Sequence, residues 1–198
     1  KVKKVNLTIE KKSYNAREAI RTLRTNLQFC GDDKQVILVT SCIPGEGKSS
    51  IAVSLAESIA EMGKSVILVD ADIRKSVLAS RLEISDVDKG LSHFLSGQCN
   101  LSDVIYATNI PKFHILLSGP EAPNSTELLE SKRFSGMLES MKNVYDYIII
   151  DCPPLGLVID AAIVGRQSDG ALIVVEAGKT KYRLVQNVKD QLENSGVS

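Results

Sequence analysis

Residues 36–49 read VILVTSCIPGEGKS. A β-branched run leads into a loop with two glycines, and Gly-Lys-Ser opens the next element. The run 36–40 predicts a buried strand. Over 47–62 apolar residues recur at helical spacing, with Ile51, Leu55, Ile59 and Met62 in step and Gly63 placed to end the helix. Strand, glycine loop and helix in that order is the context a phosphate-binding loop requires. Gly45 and Gly47 let main-chain N–H groups turn toward phosphates, and the helix adds the positive end of its dipole. Lys48 brings a point charge to the β- and γ-phosphates, and Ser49 offers a hydroxyl to Mg²⁺. Pro44, Glu46 and Ser50 complete the loop positions expected to meet ATP. The usual G-x-x-x-x-G-K-[ST] pattern has its first glycine where this chain has Cys42.

Working outward, strands are predicted at 65–70, 113–118, 147–151 and 171–176. Helical stretches are predicted around Leu78, at 90–96, 101–106, 125–143, 159–167 and 181–195. Strands alternate with helices, and the strands are continuous apolar runs. That combination indicates an α/β fold of the P-loop NTPase class, a mainly parallel sheet sandwiched between helices. Ligands of such sheets bind at the carboxyl ends of the strands. The phosphate loop, VDADIR (69–74) and IDCPP (150–154) all fall at such ends.

VDADIR places Asp70 at the end of its strand and Asp72 two residues on, and Asp151 ends another strand. Mg²⁺ takes hard oxygen ligands and keeps several waters, so Asp151 fits a Walker B acid, with Ser49, Asp70 and Asp72 as further metal-side positions. Asp70 or Asp72 could act as general base, with Asp72 favoured. Arg74 could contact a nucleotide phosphate or hold its own loop. A second Gly-Lys-Thr, at 178–180, lacks a preceding loop glycine. There Thr180 reads as an N-cap and Lys179 as solvated.

The 198 residues suit one domain, 1–198, and 43% hydrophobic residues can bury a sizeable core. Twenty-four Lys plus Arg balance 24 Asp plus Glu, which argues against a nucleic-acid partner. The segment 1–12 is locally basic and reads as a solvated tail, or as a contact for an anionic surface. Cys30, Cys42, Cys99 and Cys152 form no C-x-x-C pair and the two histidines stand far apart, which argues against zinc and a disulfide framework. No apolar run of membrane-spanning length occurs. A further strand is expected after ENSGVS, so the chain reads as truncated.

PGEGKSS (44–50), VILVDADIRK (66–75) and YIIIDCPP (147–154) resemble the Walker A, A′ and B motifs of the bacterial tyrosine kinases of capsular and exopolysaccharide synthesis. GLSHFLSG (90–97), LLSGPEAPNSTELL (116–129) and VIDAAIV (158–164) resemble the free-standing Gram-positive branch. The family loop usually reads P-P-N-P-x-E-L-L. Ala122 and Ser125 stand in for prolines here, and Asn124 or Ser125 is expected to cap the next helix. AREAIRTLR (16–24) matches E-x-x-R-x-x-R through Glu18, Arg21 and Arg24. The resemblance implies that helix 13–30 builds a ring of subunits, with Ala16, Ala19, Ile20, Leu23 and Leu27 facing the body.

The resemblance further implies ATP and Mg²⁺ as cofactors and phosphorylation of tyrosines in trans between subunits. It implies a membrane-anchored activator of the polysaccharide co-polymerase type, a cognate tyrosine phosphatase, and a cytoplasmic position at the membrane's inner face. The family's tyrosine cluster is not among Tyr14, Tyr106, Tyr145, Tyr147 and Tyr182. A partitioning-type switch ATPase is the alternative, although its signature lysine is replaced by Ile43. A nucleotide-bound assembly module is the other.

Overall fold

Every residue of the stretch 36–41 is buried, as a strand covered on both faces must be. The structure, a computed structural model, describes residues 3–31, 33–85 and 87–197. Residues 1 and 2 of the basic segment and Ser198 lie outside them. In chain order the elements are β1 (Lys3–Lys4), α1 (Tyr14–Phe29), β2 (Val36–Ser41), α2 (Lys48–Glu61), β3 (Val66–Asp70), α3 (Leu78–Arg81), α4 (Leu91–Leu95), β4 (Tyr106–Ala107) and β5 (Phe113–Leu116). Then come α5 (Ser125–Glu130), α6 (Lys132–Lys142), β6 (Tyr147–Asp151), α7 (Asp160–Gly165), β7 (Gly170–Val174) and α8 (Tyr182–Ser195).

The sheet runs β1-β4-β5-β3-β6-β2-β7, parallel throughout except for the antiparallel pair β4–β5. Successive side chains alternate between faces. Val36, Leu38, Ile67, Val69, Ile148 and Ile150 therefore enter a core shared with α4–α8. Ile37, Val39, Val66, Leu68 and Ile149 enter the core beneath α1–α3. Fully burying one such side chain contributes roughly 1.5–3 kcal/mol, so the central strands are anchored from both sides. The five predicted strands are all present within two residues of their expected ends.

Several local expectations need correction. Helix 125–143 is two helices, because Ser131 adopts extended backbone between them. Its hydroxyl donates to the carbonyl of Leu128 (2.7 Å) and accepts from the N–H of Phe134 (3.3 Å), ending one helix and capping the next. The helix at 101–106 is only a 3-10 turn over Leu101–Asp103, after which Tyr106 enters the sheet. Met62 lies beyond α2 and is exposed, whereas Gly63 does end that helix, with φ at 84° and its N–H on the carbonyl of Ala60.

The basic N-terminal segment, within its described part, is not a solvated tail. Val5 N–H bonds the carbonyl of Ala107, Leu7 N–H bonds Asn109 Oδ1, and Thr8 N–H bonds the carbonyl of Leu82. Val5 and Leu7 are buried, and Lys12 pairs with Glu57 at 2.7 Å. The period-two alternation of Val5, Leu7 and Ile9 was the signal for this strap.

Helix α1 is capped by Ser13, whose hydroxyl accepts from Ala16 N–H. Its inward stripe is Ile20, Leu23 and Leu27, while Ala16 and Ala19 are not buried. Arg24 joins the inward side: its guanidinium donates to both the carbonyl and the hydroxyl of Ser58, at 2.8 and 3.0 Å. Glu18 and Arg21 pair with each other on the outside at 2.7 Å.

Candidate nucleotide and phosphoryl-transfer site

The phosphate loop leaves the centre of the sheet. Gly45 and Gly47 take φ of 83° and 87°, the left-handed region that a side chain disfavours. Among the described residues, the N–H groups of residues 47–50 make no hydrogen bond within the protein, while Glu46 closes the turn over 44–45. A run of unpaired donors at the head of a 14-residue helix is an anion-binding arrangement. Cys42 does not interrupt it. It is buried three residues before Gly45, where the backbone takes no positive φ.

Sheet register brings the acids to this loop. Asp70 and Asp151 are Cα partners at the ends of β3 and β6, and Val39 of the neighbouring strand also pairs with Asp151. Lys48 Nζ stands 3.3 Å from Asp151 Oδ1, 3.8 Å from Asp72 Oδ2 and 3.2 Å from Ser49 Oγ. Burial pushes the Asp151 carboxyl up, and Lys48 and the Ser49 hydroxyl partly offset that shift. Asp70 is pushed up to about 7, first by burial and then by the neighbouring charge of Asp151. Its oxygens accept from Ser76 Oγ and from Asp72 N–H. Asp72 differs: its Oδ1 accepts from Lys75 N–H at 3.1 Å, which fixes the turn, and its Oδ2 lies 3.8 Å from Lys48 Nζ.

These oxygen donors suit Mg²⁺ in kind. Among the described residues, however, no three acids, histidines or cysteines close into a metal-holding group. Asp70, Asp72 and Asp151 therefore form no chelating cage of their own. That fits a cation taking one or two protein oxygens and completing its shell with phosphates and water.

Of the two roles expected for Arg74 the structure shows the second, holding its own loop, while several other predicted residues serve otherwise than expected. Arg74 clamps Asp160 through two bonds, at 2.8 and 3.1 Å, and adds one to Thr126 Oγ1 at 3.0 Å. It holds its loop rather than reaching toward the phosphate loop. Neither Asn124 nor Ser125 caps α5 through its side chain; Ser125 donates instead to Asp160. Thr180 is no N-cap either, since α8 begins at Tyr182. Its hydroxyl donates to Glu46, and Lys179 pairs with Glu176 on the surface. The carboxylate of Glu46 is taken up within the protein, accepting from Cys42 N–H (2.7 Å) and Ile43 N–H (2.8 Å). Asp160 was missed as a site residue. Its position in VIDAAIV, just after the Walker B strand, was the available signal. Burial pushes the thiols of Cys42 and Cys152 up, and the adjacent carboxylates Glu46 and Asp151 add to this, so neither is poised as a nucleophile.

A family profile described as an AAA domain matches residues 34–194, and so spans the loop and every acid above. The tyrosine-protein kinase CpsD of Streptococcus agalactiae serotype III (strain NEM316) is 44% identical over 179 residues, covering 90% of this chain and 77% of that protein. The chain belongs to the bacterial tyrosine kinase family. The solved kinase domain of the Escherichia coli tyrosine kinase ETK superposes on this bacterial tyrosine kinase with a TM-score of 0.87 at 34% identity, covering 92% of this chain and 72% of that one. More distant is the septum site-determining protein MinD of Pyrococcus horikoshii, complexed with Mg-ADP. It gives a TM-score of 0.71 at 27% identity over 83% of this chain and 67% of that one. The enzyme is therefore a nucleotide-binding protein-tyrosine kinase on a P-loop fold shared with cell-division ATPases. Among its described residues no helix is long and apolar enough to cross a membrane.

Proposed function

We propose that the chain transfers the γ-phosphoryl group of ATP to tyrosine hydroxyls, in trans between copies of itself, and so regulates capsular or exopolysaccharide synthesis and export. The observation that carries this reading is Lys48, held between Asp151 and Asp72 at the mouth of an unpaired N–H array. The array and the helix dipole bind the phosphate chain through Gly47, Lys48, Ser49 and Ser50. Lys48 offsets charge building on the transferring group. The tyrosine oxygen forms the new bond to phosphorus, the bond to the β,γ-bridging oxygen breaks, and ADP leaves with that electron pair. Asp72, whose Oδ2 lies beside Lys48, accepts the phenolic proton. Asp70 supports the turn that carries it. Ser49 and Asp151 would hold Mg²⁺, which when bound neutralises charge on the β- and γ-phosphates.

The exposed Glu18–Arg21 pair is the surface on which another copy would dock. A membrane-anchored activator would hold the kinase at the inner face of the membrane, and a tyrosine phosphatase would reset it. The deciding experiment incubates the chain with ATP, Mg²⁺ and a tyrosine-cluster peptide and reads phosphotyrosine by mass spectrometry. Transfer that Lys48→Met abolishes is expected. ATP hydrolysis without phosphotyrosine would make this a switch ATPase, and binding without turnover would make it an assembly module.

A further inference from the structure

Glu46 is an acid inside a loop built for a polyanion, a placement that opposes ligand binding unless the carboxylate does something else. It is buried, at 7% exposure, and its two oxygens face two different segments. Oε2 takes the N–H groups of Cys42 and Ile43, at the root of the phosphate loop. Oε1 takes the N–H of Glu176 (3.2 Å) and the hydroxyl of Thr180, across 130 and 134 residues of sequence. Hydrogen bonds from Thr180, Ile43, Glu176 and Cys42 outweigh the upward push of burial and hold the carboxyl below its ordinary range, so it is ionised and a strong acceptor.

The strand order gives this link a direction. The phosphate loop leaves β2, which lies between β6 and β7. Lys48 leans to the β6 side, toward Asp151 and Asp72, so the transferring phosphate belongs on that side. A nucleotide extended along the loop must then run its ribose and base toward β7, whose C-terminal end continues as residues 175–181. That segment is the one Glu46 holds.

We propose that Glu46 and Thr180 are a positioning pair that sets segment 175–181 against the phosphate loop, so that the loop's own acid fixes the wall meeting the ribose and base of ATP. The inference rests on the nucleotide site assigned above. Thr180→Val keeps the shape and removes the donor. Glu46→Gln keeps one acceptor oxygen and, whichever way the amide is turned, sets its NH2 against main-chain N–H groups that cannot accept, those of Cys42 and Ile43 on one side or that of Glu176 on the other.

The test titrates Mg-ATP and, separately, magnesium tripolyphosphate into the chain and its variants by calorimetry, with KM and kcat measured alongside. Thr180→Val should weaken Mg-ATP about ten-fold, the value of one charge-assisted hydrogen bond. It should raise KM with kcat within about two-fold and leave tripolyphosphate within about two-fold, and Thr180→Ser should restore ATP affinity. Glu46→Gln, which disturbs both segments, should weaken both ligands. Equal loss of both ligands in Thr180→Val would overturn the proposal, as would unchanged ATP affinity in either variant. Failure of the wild-type chain to bind Mg-ATP would instead overturn the assignment of the nucleotide site beneath it.

Discussion

Gly156 lies against the carbonyl of Cys42 so closely that a Cβ there would stand 2.1 Å from the oxygen. The segment after Asp151 is laced to the end of β2 around this contact. Leu155 N–H bonds the carbonyl of Ser41 at 2.9 Å, and Thr40 Oγ1 donates to the carbonyl of Pro153 at 2.8 Å. The phosphate loop and the Walker B segment are thereby set against each other by main-chain contact, which no side-chain adjustment can relieve.

Gly156→Ala must force the two segments apart. Overpacking of this kind costs about 1–3 kcal/mol, to be read from the urea midpoint at unchanged slope. Mg-ATP affinity should fall with it, because the loop root moves. Wild-type stability together with wild-type affinity would show that the contact does not constrain the loop.

Asp72 and Asp70 should separate in kinetics. Asp72→Asn removes the proposed proton acceptor and should lower kcat by about 10²–10⁴ with ATP affinity little changed. Asp70→Asn should act more weakly on kcat, because Asp70 holds Ser76 and the turn at Asp72 rather than facing the acceptor. The reverse ranking in single-turnover rates would exchange the two roles.

Asp160 predicts an acid-side pH dependence. Burial raises its carboxyl, but bonds from Arg74, Ser125 and Thr126 outweigh that and bring it below 3.8. A depressed carboxyl contributes stability above its unfolded value, and that contribution is lost as pH falls through the folded one. Arg74 is more than a third exposed, so screening reduces the Coulomb part. Asp160→Asn should then cost about 1–3 kcal/mol at pH 7. The gap from wild type should narrow only below about pH 4, as checked by denaturation at a series of pH values.

The three residues of the E-x-x-R-x-x-R motif should not behave alike. Glu18→Ala and Arg21→Ala, at exposed positions, should change the mass seen by light scattering while shifting stability by no more than about 0.5 kcal/mol. Arg24→Ala breaks a tie between α1 and α2 and should destabilise the chain by about 1–3 kcal/mol whatever its assembly. Unchanged mass in the Glu18 and Arg21 variants would count against a ring built on this face.

The class of fold and the chemistry of the phosphate loop were legible because both are encoded locally. Five apolar runs and their intervening helical periods required a parallel sheet. Gly45, Gly47, Lys48 and Ser49 act through main-chain torsions and neighbours within one turn. Asp70, Asp72 and Asp151 could be placed at strand ends from the same runs. The N-terminal strap was legible in principle, through Val5, Leu7 and Ile9, but its five basic residues pointed to solvent.

By itself, the sequence determined the strands, the loop and the identity of the groups at the sheet's carboxyl edge, because those depend on periodicity and short-range torsion. Tertiary structure alone decided which groups meet. β6 lies between β3 and β2, so Asp70 is set beside Asp151 and Lys48 can reach Asp151 and Asp72. β7 flanks β2, so Thr180 reaches Glu46. Arg74 turns to Asp160, and Arg24 turns inward to Ser58. The last three are contacts between residues 34 to 134 positions apart. Strand order and the demand that every buried polar group find a partner select such contacts, and no window along the chain contains both ends.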